Sequence, residues 1–185
     1  MPLDASKVKI AATGSLWRAP LGTTIPTDAS SSYAGAFINL GYLSMGFELA
    51  QDLKQKEITA WQTLEIVRLV NTSLTRSVSF DAIESNNATV ALAWGGATIT
   101  AGSGGAYTMA IPDASTVQEA IYGIDWSDGS TSQRIIIKRG VLKSLPKVKF
   151  TREDAITYSF EIQAVAPTDG TKAIVVYGVD TGVAS

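Results

Sequence analysis

The segment FDAIESNN, Phe80 to Asn87, sets Asp81 and Glu84 three residues apart. Two nearby carboxylates can act as general acid and general base. Retaining glycosidases hold such a pair ~5 Å apart, and inverting enzymes hold it further. Asp125, in DWSDGS (Asp125 to Ser130), heads a second oxygen-rich stretch that faintly resembles a calcium loop. Loop position twelve, where a glutamate is needed, is Ile136, so a hairpin turn is the better reading. AGSGG, Ala101 to Gly105, has the glycines of a phosphate cradle but no following Lys-Ser/Thr, and it opens no helix. The chain contains no cysteine and no histidine. That removes thiol nucleophiles, disulfides, the Ser-His-Asp arrangement and most zinc sites. No partner for Asp81 and Glu84 is visible, so no catalytic residue, cofactor or metal is expected and the chain does not read as an enzyme.

The elements around these residues give them other tasks. TRSVSFDAI, Thr75 to Ile83, alternates with period two: Val78, Phe80 and Ala82 on one face, Ser77, Ser79 and Asp81 on the other. AITYSFEIQAV, Ala155 to Val165, does the same. Ile156, Tyr158, Phe160, Ile162 and Ala164 oppose Thr157, Ser159, Glu161 and Gln163. Each is a strand with one buried and one polar face. Between Ile83 and Gly95 lies one helix. Asn86 or Asn87 caps it, Ala88 to Trp94 forms it, and Gly95 ends it in a left-handed conformation. Val90, Ala91 and Trp94 are the candidate packing stripe. Glu84, just ahead of the cap, reads as a charge favourable to the helix dipole.

Further strands are expected over Lys7 to Ala12, Ala36 to Tyr42, Thr63 to Val70, Tyr107 to Ile111, Gln118 to Trp126, Gln133 to Val141 and Lys147 to Phe150. Thr63 to Val70 and Gln133 to Val141 are apolar on both faces, as central strands are. The lysines of KRGVLKSLPKVKF (Lys138 to Phe150) interleave with apolar residues, which favours solvated charges on edge strands over the alternatives of a nucleic-acid patch or an inter-subunit contact to acidic residues. Gly22 to Gly35 is a polar loop or arm, and Met45 to Ala60 a charged segment that reads as a short surface helix or a solvated, extended hairpin. Many short strands separated by turns make a β-sandwich or barrel with one flanking helix.

With 185 residues the chain suits a single domain, and 45% hydrophobic residues suffice for a core. A net charge of −2 gives no basic face to grip nucleic acid, but does not prevent nucleic acid from passing by. The N-terminus has no apolar signal region, and no window approaches the ~20 apolar residues of a membrane helix. A soluble protein made in the cytoplasm, without membrane contact, is expected.

The order of four segments is similar to one family. TGSLWRAPLGTTIPTDA (Thr13 to Ala29), AFINLGYLSMGFEL (Ala36 to Leu49), Ala60-Trp61-Gln62 and SFDAIESNNATVALAWGG resemble the major tail tube proteins of long-tailed (siphovirus-type) bacteriophages, particularly those of actinobacteria. KRGVLKSLPKVKFTREDAITYSFEIQAV resembles the family's paired C-terminal strands. The resemblance implies a β-sandwich that assembles as hexameric rings stacked into a tube, in the virion and made in the host bacterial cytoplasm. Partners would be further copies of the chain, the tape-measure protein within the tube, the tail terminator and distal tail proteins, and DNA passing transiently through the lumen. It implies one domain over 1–185, with an N-terminal arm or loop at 13–35, an extended hairpin at 45–60 and a short flexible tail at 178–185 in place of the immunoglobulin-like domain that some members add.

A DNA conduit calls for a polar, weakly acidic wall that phosphate slides along. Ser77, Ser79, Asp81, Thr157, Ser159, Glu161 and Gln163 are therefore candidate lumen residues, with ordinary outer surface as the alternative. Gln51, Asp52, Lys54, Lys56 and Glu57 are candidates for ring stacking, as is the Gly22 to Gly35 arm. The rival classes are a carbohydrate-binding or glycosidase-like sandwich using Asp81, Glu84 or Asp125, and a capsid decoration or tail-terminator protein.

Overall fold

The two alternating segments pair with each other. In the computed structural model, which describes residues 7–112, 118–129 and 131–179, strands β1 (Thr13–Ala19), β2 (Ile38–Asn39), β3 (Leu43–Thr59) and β4 (Ile66–Ala82) precede helix α1 (Asn87–Ala93). Strands β5 (Thr98–Ala101), β6 (Tyr107–Ala110), β7 (Glu119–Asp128), β8 (Thr131–Leu142), β9 (Lys147–Lys149), β10 (Thr157–Ala164) and β11 (Ile174–Val179) follow. The main sheet has nine strands in the order β2-β1-β7-β8-β10-β4-β3, with β11 on β8 and β9 on β10; β5 and β6 form a separate hairpin. All pairings are antiparallel.

β4 and β10 set Phe80 opposite Phe160, with Tyr158 opposite Ala82 and Ile162 opposite Val78. The two phenyl rings stack at 5.1 Å. Burying each such side chain contributes about 1.5–3 kcal/mol. These residues share one core with Leu16 of β1, Tyr122 and Ile124 of β7, Ile135 and Ile137 of β8, and Leu92 and Ala93 of α1. The sheet therefore folds over itself as a sandwich, and the helix closes one end of the core.

β8 makes the turn from one layer to the other. Ala120 pairs with Gly140 but Tyr122 with Ile137, so β8 carries an extra residue there. A bulge reverses which side alternate residues face. Ile135 and Ile137 point to the core before it; Gly140 and Leu142 do so after it. Val141 then shares the polar face of Gln163, its partner on β10.

The helix begins as its sequence indicates. Asn86 caps it by accepting from the Thr89 N–H at 2.9 Å. Gly95 (φ +69°) and Gly96 (φ +83°) close it, their N–H groups donating to the carbonyls of Leu92 and Ala91, a Schellman end. The packing stripe differs from the expected one. Thr89, Leu92 and Ala93 are buried, Val90 packs in part on the core, Ala91 is half-buried, and Trp94 is exposed. At about 100° per residue, a stripe centred on Thr89, Leu92 and Ala93 leaves Ala91 and Trp94 on the opposite side of the helix.

Several boundaries move. Lys7 to Ala12 contains no strand; the strand is β1, within the expected 13–35 arm. β1 lacks alternation because both its faces are covered: Leu16 enters the main core, while Trp17 and Ala19 enter a second one. Of Ala36 to Tyr42 only Ile38–Asn39 is extended into the sheet. The expected 45–60 hairpin is instead one strand of a longer hairpin, β3–β4, that turns at residues 60–65. Thr63 to Val70 lies at the tip of this hairpin and is not a central strand. Gly178 and Val179 belong to β11, and the rest of the expected tail lies outside the described residues. Of the lysine-rich segment, β9 is an edge strand, whereas β8 is paired on both sides.

Gly140 tests the close approach of the layers. A Cβ there would sit 2.6 Å from the Tyr122 ring and 2.8 Å from Ile162. Gly140→Ala is expected to destabilise by about 1–3 kcal/mol, whereas Gly35→Ala, with open space around it, should change stability by less than ~0.5 kcal/mol. Urea denaturation of both variants checks this; equal midpoints would contradict the packing described.

Candidate functional site

The two polar strand faces that the sequence offers separately are one surface. Ser159 is opposite Asp81, Glu161 opposite Ser79, and Gln163 opposite Ser77. Directly opposed residues of an antiparallel pair project to the same side. Thr157 continues the row, facing Lys149 of β9, and Glu48 of β3 extends it across Ser79. The seven candidate residues thus form a patch on the side of β4 and β10 away from the core. Ser77 is buried, Ser159 exposed, and Ser79, Asp81, Thr157, Glu161 and Gln163 half-buried. An open cavity of about 510 Å³ lies on this face, between the start of β3 and the turn before β9.

Two ion pairs lie on this face. The Lys143 ammonium lies 2.7 Å from Glu161, and Arg139 binds Glu119 through two bonds of 2.6 and 3.1 Å. Hydrogen bonds from these cations hold the Glu119 and Glu161 carboxyls below the usual glutamate range.

The second surface is the β3–β4 hairpin. β10 covers β4 only from Arg76 to Ala82. Beyond that, among the described residues, Asp52 to Thr59 and Ile66 to Thr75 pair only with each other, a reach of about 25 Å at ~3.3 Å per residue. Asp52, Lys54 and Lys56 continue the polar face, and Gln51 and Glu57 point to the other side. That other side carries Leu53 opposite Leu74 and Leu69 opposite Glu57, all four exposed. At the tip, Trp61 and Leu64 are 98% and 103% exposed. Among the described residues no segment covers Leu53, Leu69 and Leu74, each of which is about half exposed.

The Gly22 to Gly35 loop, expected to reach outward, is fastened down. Arg134, buried on β8, donates from Nε and a terminal nitrogen to both oxygens of Asp125, at 2.7 and 3.0 Å. Its other terminal nitrogen donates to the carbonyls of Ser31 and Asp28. The Tyr33 hydroxyl donates to Asp125 at 2.8 Å, and the guanidinium lies 4.3 Å from the centre of its ring. Burial and the Asp125 charge push the Tyr33 hydroxyl pKa well up. Tyr33 also stacks on Trp17 and lies over Gly123, where a Cβ would not fit. The loop covers the second core, formed by Ala19, Phe37, Ile121 and Ile136. Nothing in the local sequence marks Arg134, whose loop partners lie more than a hundred residues away.

These contacts also fix the roles of the acidic residues. Asp125 accepts three hydrogen bonds and is fully engaged. Glu84 does not join the helix N-terminus; it accepts from the Tyr42 N–H and the Asn86 amide, tying the 40–42 turn to the helix entry. Asp81 lies on the polar face. Among the described residues no group of three or more potential metal ligands occurs, and no helix is long and apolar enough to cross a membrane.

A mainly β chain with one helix, a paired polar face and an arm with an uncovered apolar side is built for assembly. Comparison with protein families agrees: residues 1–184 match the model described as phage tail tube protein, and the chain belongs to that family. It is a structural component of the phage tail that assembles with copies of itself in the virion. No curated protein matches it significantly.

Breaking the buried ion pair should free the 22–37 loop. Arg134→Met leaves Asp125 with Tyr33 as its remaining donor and the Asp28 and Ser31 carbonyls without Arg134, and is expected to cost about 3 kcal/mol. Chymotrypsin should then cut at Tyr33 and Phe37 in the native state. Unchanged protection would show that aromatic stacking alone holds the loop.

Proposed function

We propose that this chain forms hexameric rings that stack into the tail tube, with the face of Ser77, Ser79, Asp81, Thr157, Ser159, Glu161 and Gln163 lining the channel. The observation that carries this reading is the β4–β10 register, which merges two polar strand faces into one wall directly behind the hydrophobic core. Six-fold symmetry comes from the family resemblance, as do the tape-measure protein inside the tube, the terminator and distal tail proteins at its ends, and the later passage of DNA. Serine, threonine and glutamine offer such cargo only weak, exchangeable hydrogen bonds.

Two strand edges support lateral closure. β3 ends the sheet order, and β9 pairs with β10 alone. An open edge presents unpaired N–H and C=O groups to a neighbouring chain, so β3 of one copy can meet the β9 side of the next. The β3–β4 arm, with Gln51, Asp52, Lys54, Lys56 and Glu57, then bridges to the adjacent ring, where its leucines and Trp61 find cover. The apolar residues of Thr63 to Val70 thereby gain a reason that a lone subunit does not supply. The carbohydrate-binding alternative loses support because Asp125 is committed to Arg134 and Tyr33.

Trp61→Ser with Leu64→Ser tests the arm. Both side chains are solvent-exposed, so the melting temperature should not change. Burying apolar groups of this size contributes about 1.5–3 kcal/mol each, so the concentration needed for tube formation should rise at least about tenfold. Negative-stain microscopy against concentration is the readout. Tubes forming as readily as in the wild type would remove the arm from ring stacking.

A further inference from the structure

A net charge of −2 suggests an acidic channel, but the body of the polar face carries cations as well. Facing away from the core are the carboxylates of Glu48, Asp81, Glu119 and Glu161. On the same side lie Arg139, Lys143, Lys147 and Lys149. On the strands four negative groups meet four positive ones, and Asp154 in the turn beside Lys149 adds a fifth negative group. Two of the cations are held at hydrogen-bond distance: Lys143 by Glu161 at 2.7 Å and Arg139 by Glu119 at 2.6 Å. Lys149 is 3.5 Å from Asp154 in the following turn. Lys147, Glu48 and Asp81 share the open cavity on this face.

Free cations here would act against transport. A lysine or arginine that contacts phosphate releases condensed counterions, and each such contact steepens the salt dependence of binding by about 0.9. In a ring the contact repeats in every subunit, so even a weak one becomes a strong grip through multivalency.

We propose that Glu119 and Glu161 neutralise the channel wall. They occupy Arg139 and Lys143, so that the face holds neither a polyanion nor a charged polypeptide passing along it. These two cations do not bind cargo because carboxylates of the wall itself occupy them. This rests on the channel reading of the face given above.

The two ideas separate experimentally. The chain has no cysteine, so Ser159→Cys gives one thiol on the face. A long poly(ethylene glycol) maleimide should label it in dissociated subunits and be excluded in assembled tubes; equal labelling in both would overturn the channel reading. Neutralisation is tested with the full-length chain and linear double-stranded DNA, by fluorescence anisotropy against salt. E119Q/E161Q is expected to bind DNA at least tenfold more tightly than wild type at low salt, with a steeper salt slope. Adding R139M/K143M should return binding to the wild-type level. If E119Q/E161Q binds no better than wild type, or if the added changes leave the gain intact, the pairs do not neutralise the wall, whatever the labelling shows.

Discussion

The pairing of β4 with β10 is the constraint on which the rest depends. Its register places Val78, Phe80 and Ala82 beside Ile162, Phe160 and Tyr158. The same register places Ser77, Ser79 and Asp81 beside Gln163, Glu161 and Ser159. One set of backbone hydrogen bonds thus specifies the core and the polar wall together. A slip of one residue would move every phenylalanine and isoleucine to the water side. The wall needs no separate stabilisation, because the hydrophobic effect that fixes one face fixes the other.

Around this pair, three devices complete the subunit. The β8 bulge near Gly140 carries the strand from one layer to the other. The capped helix seals one end of the core with Leu92 and Ala93. Arg134 holds the 22–37 loop over the back of β7 and β8, closing the second small core. What is left uncovered is the far half of the β3–β4 hairpin, with leucines on one side and Lys54 and Lys56 on the other. A family of self-assembling tail proteins accounts for such an element, since its leucines have no cover among the described residues.

How much of this was legible in the sequence follows from where each strand's cover comes from. β4, β10 and α1 could be read because each has one buried and one wet face, which leaves a period in the residues. The candidate wall residues followed from the same period, although only the register shows that they adjoin. β1 hid its strand character because both faces are covered, one by a loop tied through Arg134 to residues over a hundred positions away. Thr63 to Val70 misled in the opposite direction. Leu64, Ile66 and Leu69 look like a central strand, yet they lie on an arm beyond the body. Trp94 fits a helix stripe with Val90 and Ala91, but the stripe that packs is Thr89, Leu92 and Ala93, and Trp94 lies on the side away from it. The net charge gives no sign that Arg139, Lys143, Lys147 and Lys149 gather on the polar face; only the strand register shows it.

The central claim is that the β4–β10 polar face is the inside of a tube. A density map of assembled tubes, resolved to the level of side chains, tests it most directly. The account predicts Ser79, Ser159 and Glu161 at the channel surface, Phe80 and Phe160 behind them, and the β3–β4 arm crossing into the next ring. A map with Ser159 and Asp81 on the outer surface, or with the arm folded against its own subunit, would contradict it.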